Sequence, residues 1–403
     1  MQVAGIPAAQ LSTQLARFLE AEEPWLIAVR RHLHAHPELG LAEHQTTELV
    51  RSRLASAGLT PKLLPGGTGL LCDIGTAPGP LVALRADLDA LPLSDEKDVA
   101  YRSTVAGVCH ACGHDVHTTI LLGAGLALAQ LADADQLPGR VRLIFQPAEE
   151  LTPGGAVDAV DADALVGVGR IYALHCDPRT DVGLVGVRSG PITAAADRLQ
   201  VRLRGPGGHT SRPHLTADLV YALAKVVTEV PAALSRRVDP RSGLSVVWGQ
   251  ISAGTVANAI PETGVANATV RVLDSEAWQS APGLLRELTL AAAAPYGVEV
   301  EITYQRGVPP VINDPFATEL LSQGIKAALG PDATVPTEQS LGGEDFGWYL
   351  QHVPGSLGRL GVRGPDTLTG MDLHRGTFDV DESSIAVGVR VLVSTALTAL
   401  DAG

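Results

Sequence analysis

Two thiols, three imidazoles and a carboxylate fall within nine residues of this chain, in the run CHACGHDVH from Cys109 to His117. Thiolate with imidazole suits zinc, and imidazole with carboxylate suits manganese, cobalt or nickel. The same ligand types recur far downstream at Glu149, Glu150, His175 and His374. One cluster with distant partners predicts a metal centre assembled by folding. A self-contained zinc knuckle would need a second cysteine pair, and the remaining cysteines, Cys72 and Cys176, stand alone.

Cys112 and His114 carry this expectation. In an extended loop two residues apart, their side chains would point the same way. The competing reading is a redox dithiol of Cys109 and Cys112, which calls for a thioredoxin-like context. Cys109, His110 and His117 are expected to support the ligands structurally. Glu149 and Glu150 follow a buried strand, and adjacent residues there face opposite ways. One carboxylate could then bind metal while its neighbour addresses a water. Asp87 and Asp89 end another strand, where they could bind metal or hold a ligand imidazole in the right tautomer. His32, His34 and His36 lie on a helix end and are expected to be structural. The glycine-rich loop 205–214 lacks the Lys-Ser/Thr ending of a phosphate cradle. Residues 342–346 read as a tight turn before a short helix.

These groups need a frame to converge. Apolar periodicity predicts helices at 26–33, 44–57 and 117–131, and strands at 70–74, 81–85, 141–145 and 170–174. Strands alternating with helices predict an α/β fold with a mostly parallel central sheet. From residue 199 the rhythm becomes strand 199–203, helix 215–234, strands 244–251 and 265–273, helix 275–294 and strand 298–304. That order is the ferredoxin-like βαββαβ unit. Helix 315–329, strand 357–362 and helix 382–399 then return to the first rhythm. The expected organisation is a discontinuous catalytic domain, residues 1–196 and 307–403, interrupted by an inserted domain at 197–306.

At 403 residues the chain exceeds what one core usually serves. Its net charge of −14 argues against nucleic acid or an anionic membrane as partner. No continuous apolar run reaches the roughly 18 residues a membrane span needs. The first residues lack a basic patch followed by an apolar core, and the four cysteines make no disulfide framework. A cytoplasmic enzyme is the expectation.

The whole chain resembles the amidohydrolase branch of the aminoacylase/carboxypeptidase metallopeptidases, which includes hippurate hydrolases, N-acyl-amino-acid deacylases and auxin-conjugate hydrolases. The matching segments are RHLHAHPE (31–38), ALRADLDALP (83–92), HACGHDVH (110–117), FQPAEE (145–150), ALH (173–175), GGHTSRPH (207–214), NAIP (258–261), GGEDF (342–346) and LH (373–374). This resemblance implies a metallopeptidase-type catalytic domain and an inserted lid that also forms a homodimer or dimer of dimers. It implies two divalent ions per subunit, Mn²⁺ or Zn²⁺ with Co²⁺ or Ni²⁺ as substitutes, held by Cys112, His114, Glu150, His175 and His374. Glu149 becomes the general base, and His209 the lid histidine that steadies the oxyanion in a neighbouring subunit. Asn258 and Arg271 become substrate-holding groups. Relatives often read Gly-Thr-x-Arg where this chain has Ala268-Thr269-Val270-Arg271. Asp87 and Asp89 match a segment that carries a metal-binding histidine in other branches. The implied activity is hydrolysis of N-acyl amino acids or related small amides. A dipeptidase or aminobenzoyl-glutamate-type hydrolase is the alternative, and a metal-sensing protein is the alternative outside enzymes.

Overall fold

The computed structural model describes residues 2–3, 6–76, 78–365 and 372–403. Two compact units divide the chain: residues 1–190, 313–338 and 348–403 form one, and residues 191–312 and 339–347 the other.

The larger unit is built on an eight-stranded sheet. Its spatial order is Thr334–Pro336, Val185–Val187, Gly355–Arg363, Arg170–Asp181, Leu81–Asp87, Arg140–Gln146, Leu70–Ile74 and Lys62–Leu63. Leu81–Asp87 runs parallel to both Arg140–Gln146 and Arg170–Asp181, and the last runs parallel to Gly355–Arg363. Parallel strands are covered on both faces, so they read as continuous apolar runs. Every residue of Leu81–Asp87 is buried. Antiparallel pairs lie toward the rims, where Leu70–Ile74 meets Arg140–Gln146 and Lys62–Leu63.

Helices His114–Asp133 and Ser383–Asp401 pack side by side on this sheet, and Ala8–Ala35 packs against both. Two glycines allow the close approach. A Cβ at Gly125 would overlap Leu143 of the sheet, and one at Gly388 would overlap Ile120. Helices His114–Asp133 and Ser383–Asp401 are each long and apolar enough to cross a membrane, which corrects the expectation that no such segment exists. Their apolar windows are 89% and 72% buried in the protein, so core packing accounts for the composition.

The smaller unit carries a four-stranded antiparallel sheet in the order Ser245–Ala253, Thr263–Val272, Ala195–Arg204, Glu299–Val308. Residues of Ala195–Arg204 alternate between buried and more exposed, which gives the sheet one face for helices Leu219–Arg237 and Ser275–Ala293. Asp218 and Asp274 start those helices, accepting hydrogen bonds from the amides of Tyr221 and Ala277. The order of elements is the ferredoxin-like one that the sequence predicts.

Two differences from the sequence reading have clear causes. Residues 339–347, expected in the catalytic part, belong to the smaller unit. There Ser340 exchanges backbone hydrogen bonds with Ile192 and Ala194. Gly343 fits so closely that an added Cβ would lie within 3.0 Å of Ala196 and Val308. The strand expected to stop at residue 174 continues to Asp181, because Gly355–Arg363 keeps pairing with it past Arg359 opposite His175. His175 therefore lies within a strand rather than at its end.

Candidate metal centre

The site grows from the carboxyl ends of parallel strands, where α/β sheets keep their ligands. Asp87 ends one strand and Asp89 lies just beyond it, while Glu149 and Glu150 occupy the turn after Arg140–Gln146. His114 is the first residue of its helix, behind Gly113 at φ +89°. A Cβ at Gly113 would come within 2.8 Å of Cys176 Sγ, so backbone and space both demand glycine here. The chain thus turns between Cys112 and His114 instead of running extended as the spacing predicted. Their side chains still converge, because the turn carries both toward His175.

Among the described residues, ligand-type atoms fall in overlapping groups, each with its members within 4.8 Å of one another: Cys112, His114 and His175; Cys112, Glu150 and His374; His114, Glu149 and Glu150; and Asp87, His114 and His117. Five separate chain segments meet here. Cys112 Sγ lies 3.5 Å from His175 Nε2, and His374 Nε2 lies 3.1 Å from Glu150 Oε1. His374 is a non-glycine residue at φ +61°, a conformation uncommon outside turns and functional sites. Its amide donates to the Ala111 carbonyl at 2.8 Å, which fastens it beside the cysteine loop.

Several ring nitrogens have their roles set by neighbours. His175 Nδ1 lies 2.9 Å from the Cys176 carbonyl, an acceptor only, so Nδ1 carries the proton and Nε2 offers its lone pair to the site. Burial, Arg359 and His117 push the pKa of His175 well below the usual range, which keeps it neutral. His117 has both nitrogens engaged: Nδ1 faces Asp87 Oδ1 at 2.7 Å and Nε2 accepts from the Cys176 amide at 2.8 Å. It supports the site and has no lone pair left for an ion. Burial alone would raise the pKa of Asp87, but His114, His117 and Arg85 outweigh it and hold the carboxylate ionised. Asp89 Oδ1 sits 3.3 Å from His114 Nδ1.

Buried atoms without hydrogen-bonding partners test whether these residues fit a cation. Among the described residues, both ring nitrogens of His114 and Oε1 of Glu150 are buried without a well-formed hydrogen bond, having only ion-pair contacts with Asp87, Asp89 and His374. Such atoms are costly to leave unpaired. Divalent ions would satisfy them, and a set of one thiol, imidazoles and carboxylates is the kind of donor set such ions take. Burial pushes the Cys112 thiol up, and Glu150 and Glu149 add to that, so a nearby cation is what would make it a thiolate. The donor set fits.

Beneath the site lies a network that the sequence reading did not foresee. His34 is fully buried, with Nδ1 2.7 Å from Asp115 and Nε2 3.1 Å from Asp95. Arg30 reaches Asp115, Asp379 and Glu382, and Lys97 pairs with Asp95. Asp115 stands next to His114 inside the Cys/His run, and that position was its one visible signal. In the smaller unit, Gly208–His209 pairs with Ala259–Ile260, and Thr210 donates to the carbonyl of Asn258. His209 and Asn258 are therefore neighbours, both exposed. Arg271 lies elsewhere, on Thr263–Val272 between Ala196 and Ser245.

Comparison with known proteins gives the geometry a context. A sequence model of the family described as Peptidase family M20/M25/M40 matches residues 83–398. A Rhodococcus jostii protein bearing a glutamate–cysteine ligase name is 50% identical over 382 residues, 95% of this chain and 47% of that protein. The chain thus spans about half of that relative's length. The N-acetyl-L-cysteine deacetylase of Bacillus subtilis is 36% identical over 385 residues, 95% of this chain and 90% of that enzyme. A crystal structure from Bacillus subtilis, described as a dinuclear metal-binding peptidase from the M20 family, has a TM-score of 0.82 and 32% identity, covering 95% of this chain and 99% of that one.

Proposed function

The chain belongs to peptidase family M20/M25/M40, in its amidohydrolase branch, and on that premise we propose that it hydrolyses the amide bond of N-acyl amino acids. An N-acyl cysteine is the first substrate to consider. One relative is named for deacetylating N-acetylcysteine, and another bears the name of a ligase that joins glutamate to cysteine. Deacylation would release the free amino acid that such a ligation consumes.

Cys112, His114, Glu150, His175 and His374 would hold two divalent ions, Mn²⁺ or Zn²⁺. When bound, such a pair supplies a water of lowered pKa and a polarised scissile carbonyl. Glu149 accepts the attacking water's proton and returns it to the leaving amine. Asp87 keeps the supporting imidazole of His117 oriented, and Asp89 that of the ligand His114. Asn258 and Arg271 bind the substrate, the guanidinium being suited to a carboxylate. His209 donates to the developing oxyanion of a second copy in a homodimer. The exposed outer strand Ser245–Ala253 offers unpaired backbone groups through which two copies could associate.

The observation that carries this reading is Glu149 beside Glu150, both grouped with His114. A protein that only stores or senses metal needs ligands but no additional carboxylate poised to take a proton. The test is a panel of N-acetyl, N-benzoyl and long-chain N-acyl amino acids, N-acetylcysteine and dipeptides, assayed on metal-reconstituted protein. Turnover of the N-acyl compounds is expected, with free amino acid as product. Cleavage of dipeptides alone would replace this reading with the dipeptidase one.

A further inference from the structure

Glu43 stands at the start of helix His44–Ser56 yet does not cap it, since its side chain makes no hydrogen bond to that helix. Glu38 does so instead, accepting from the amides of Gln45 and Thr46 at 3.0 and 2.9 Å. Glu43 is fully buried and turns away from its helix. Its Oε1 accepts the amide of Ala148 at 2.7 Å, across 105 residues of sequence. The next two residues of the same turn are Glu149 and Glu150. The amides of Leu41 and Glu43 itself also face the carboxylate, but the bond to Ala148 is the one that reaches a distant segment. Burying a carboxylate is costly enough that this bond calls for a reason.

The reason lies in the turn. Ala148 is a non-glycine residue at φ +56°, a left-handed conformation that an L side chain disfavours. Such a turn lines up successive amides as an anion-binding concavity. Here two carboxylates fill it: Glu43 takes the amide of Ala148, and Asp89 takes those of Glu149 and Glu150, each at 3.0 Å. The segment before Glu43 is fitted to the same place. Leu39 bridges to Ala90, and a Cβ on Gly40 would meet Ala148 Cα at 3.1 Å.

We infer that Glu43 is a positioning residue for the catalytic turn: by accepting the Ala148 amide it holds the left-handed conformation that aims Glu149 at its proton-transfer position. The inference rests on Glu149 being the general base. Only the oxygen that accepts the Ala148 amide matters to it; among the described residues Oε2 of Glu43 makes no hydrogen bond of good geometry.

The test compares Glu43→Leu, Glu43→Gln and the double variant Glu43→Leu/Ala148→Gly. Amide exchange of the peptide covering 146–151 is followed by mass spectrometry in metal-free protein, and kcat and KM are measured after reconstitution. Glu43→Leu should speed exchange in that peptide and lower kcat at least tenfold, with KM within about twofold of wild type. Glu43→Gln keeps the acceptor and should hold kcat within about threefold with native exchange. Glycine at 148 tolerates positive φ without help, so the double variant should regain at least threefold of the lost kcat. Unchanged exchange in Glu43→Leu overturns the inference. So does unchanged kcat with faster exchange, or a Glu43→Gln variant that loses activity while its turn stays protected. If Glu43→Leu does not fold, Glu43→Ala, alone and with Ala148→Gly, is judged by the same criteria. Full activity of Glu149→Gln would instead sink the base assignment, a result distinct from all of these.

Discussion

Cys112 Sγ and His175 Nε2 lie 3.5 Å apart, from positions 63 apart in the chain. Neither can serve the other well. The thiol is a weak donor, and the imidazole is buried and neutral, its Nδ1 proton given to the Cys176 carbonyl. A thiol that a cation would convert to thiolate and a bare lone pair facing one point are better satisfied by that cation than by each other.

Removal of metal should therefore abolish turnover. Dialysis against a chelator is expected to inactivate the protein, and Mn²⁺, Zn²⁺ or Co²⁺ to restore it. Cys112→Ser should weaken metal affinity by at least about tenfold, since hydroxyl replaces thiolate in the donor set. Equilibrium dialysis with metal analysis measures it. Activity that survives chelation and vanishes on thiol alkylation would point to Cys109 and Cys112 as a redox pair.

Glu149→Gln should retain its metal and lose turnover. General acid–base groups typically contribute about 10²–10⁴-fold, and an amide cannot accept the water's proton. Steady-state rates beside metal stoichiometry decide the matter. Near wild-type kcat with full metal would exclude Glu149 as base.

Subunit mixing probes His209. Glu149→Gln and His209→Ala subunits, each inactive, should recover activity when exchanged into heterodimers, because one site then holds an intact base and an intact partner histidine. Loss of an oxyanion donor typically costs about 3–4 kcal/mol of barrier. No recovery despite demonstrated exchange would leave His209 outside the reaction of a second copy.

His34 predicts a pH dependence of stability. Burial opposes its charge, but Asp115 and Asp95 outweigh that and raise its pKa to about 10. A histidine protonates near 6.5 in the unfolded chain. Its contribution is thus fully present below about pH 6.5 and fades as pH climbs toward 10, by at most about 1.4 kcal/mol per pH unit. The Tm difference between wild type and His34→Gln should shrink over that window. A difference independent of pH would mean His34 is neutral in the fold.

Much of this arrangement could be read in advance, for identifiable reasons. Strands such as Leu81–Asp87 are buried on both faces and announce themselves as apolar runs. Ala195–Arg204 announces itself by alternation. The run from Cys109 to His117 is dense enough in ligand types to need no alignment. Other features depend on distant partners. His175 sits mid-strand and gains its sense from Cys112, so its residue type was visible but only the family resemblance gave it a role. The first helix extends from Ala8, although Pro24 inside it reads locally as a boundary. Glu43 looks like an ordinary acidic residue at a helix start, and nothing nearby in sequence names Ala148. The allegiance of residues 339–347 is fixed by pairing with Ile192 and Ala194, which no local pattern encodes.

The interior position of Gly355–Arg363, third of the eight strands, bears on biosynthesis. That strand inserts between Arg170–Asp181 and Val185–Val187, and Ser383–Asp401 then covers helix His114–Asp133. Nearly all of the ferredoxin-like unit has left the ribosome by residue 312, so it can condense early. The larger unit must wait with an open seam until its last strand and helix emerge. During that interval Cys112 and His114 lie beside an unfinished wall, and premature capture of an ion there would occur in a site still lacking His374.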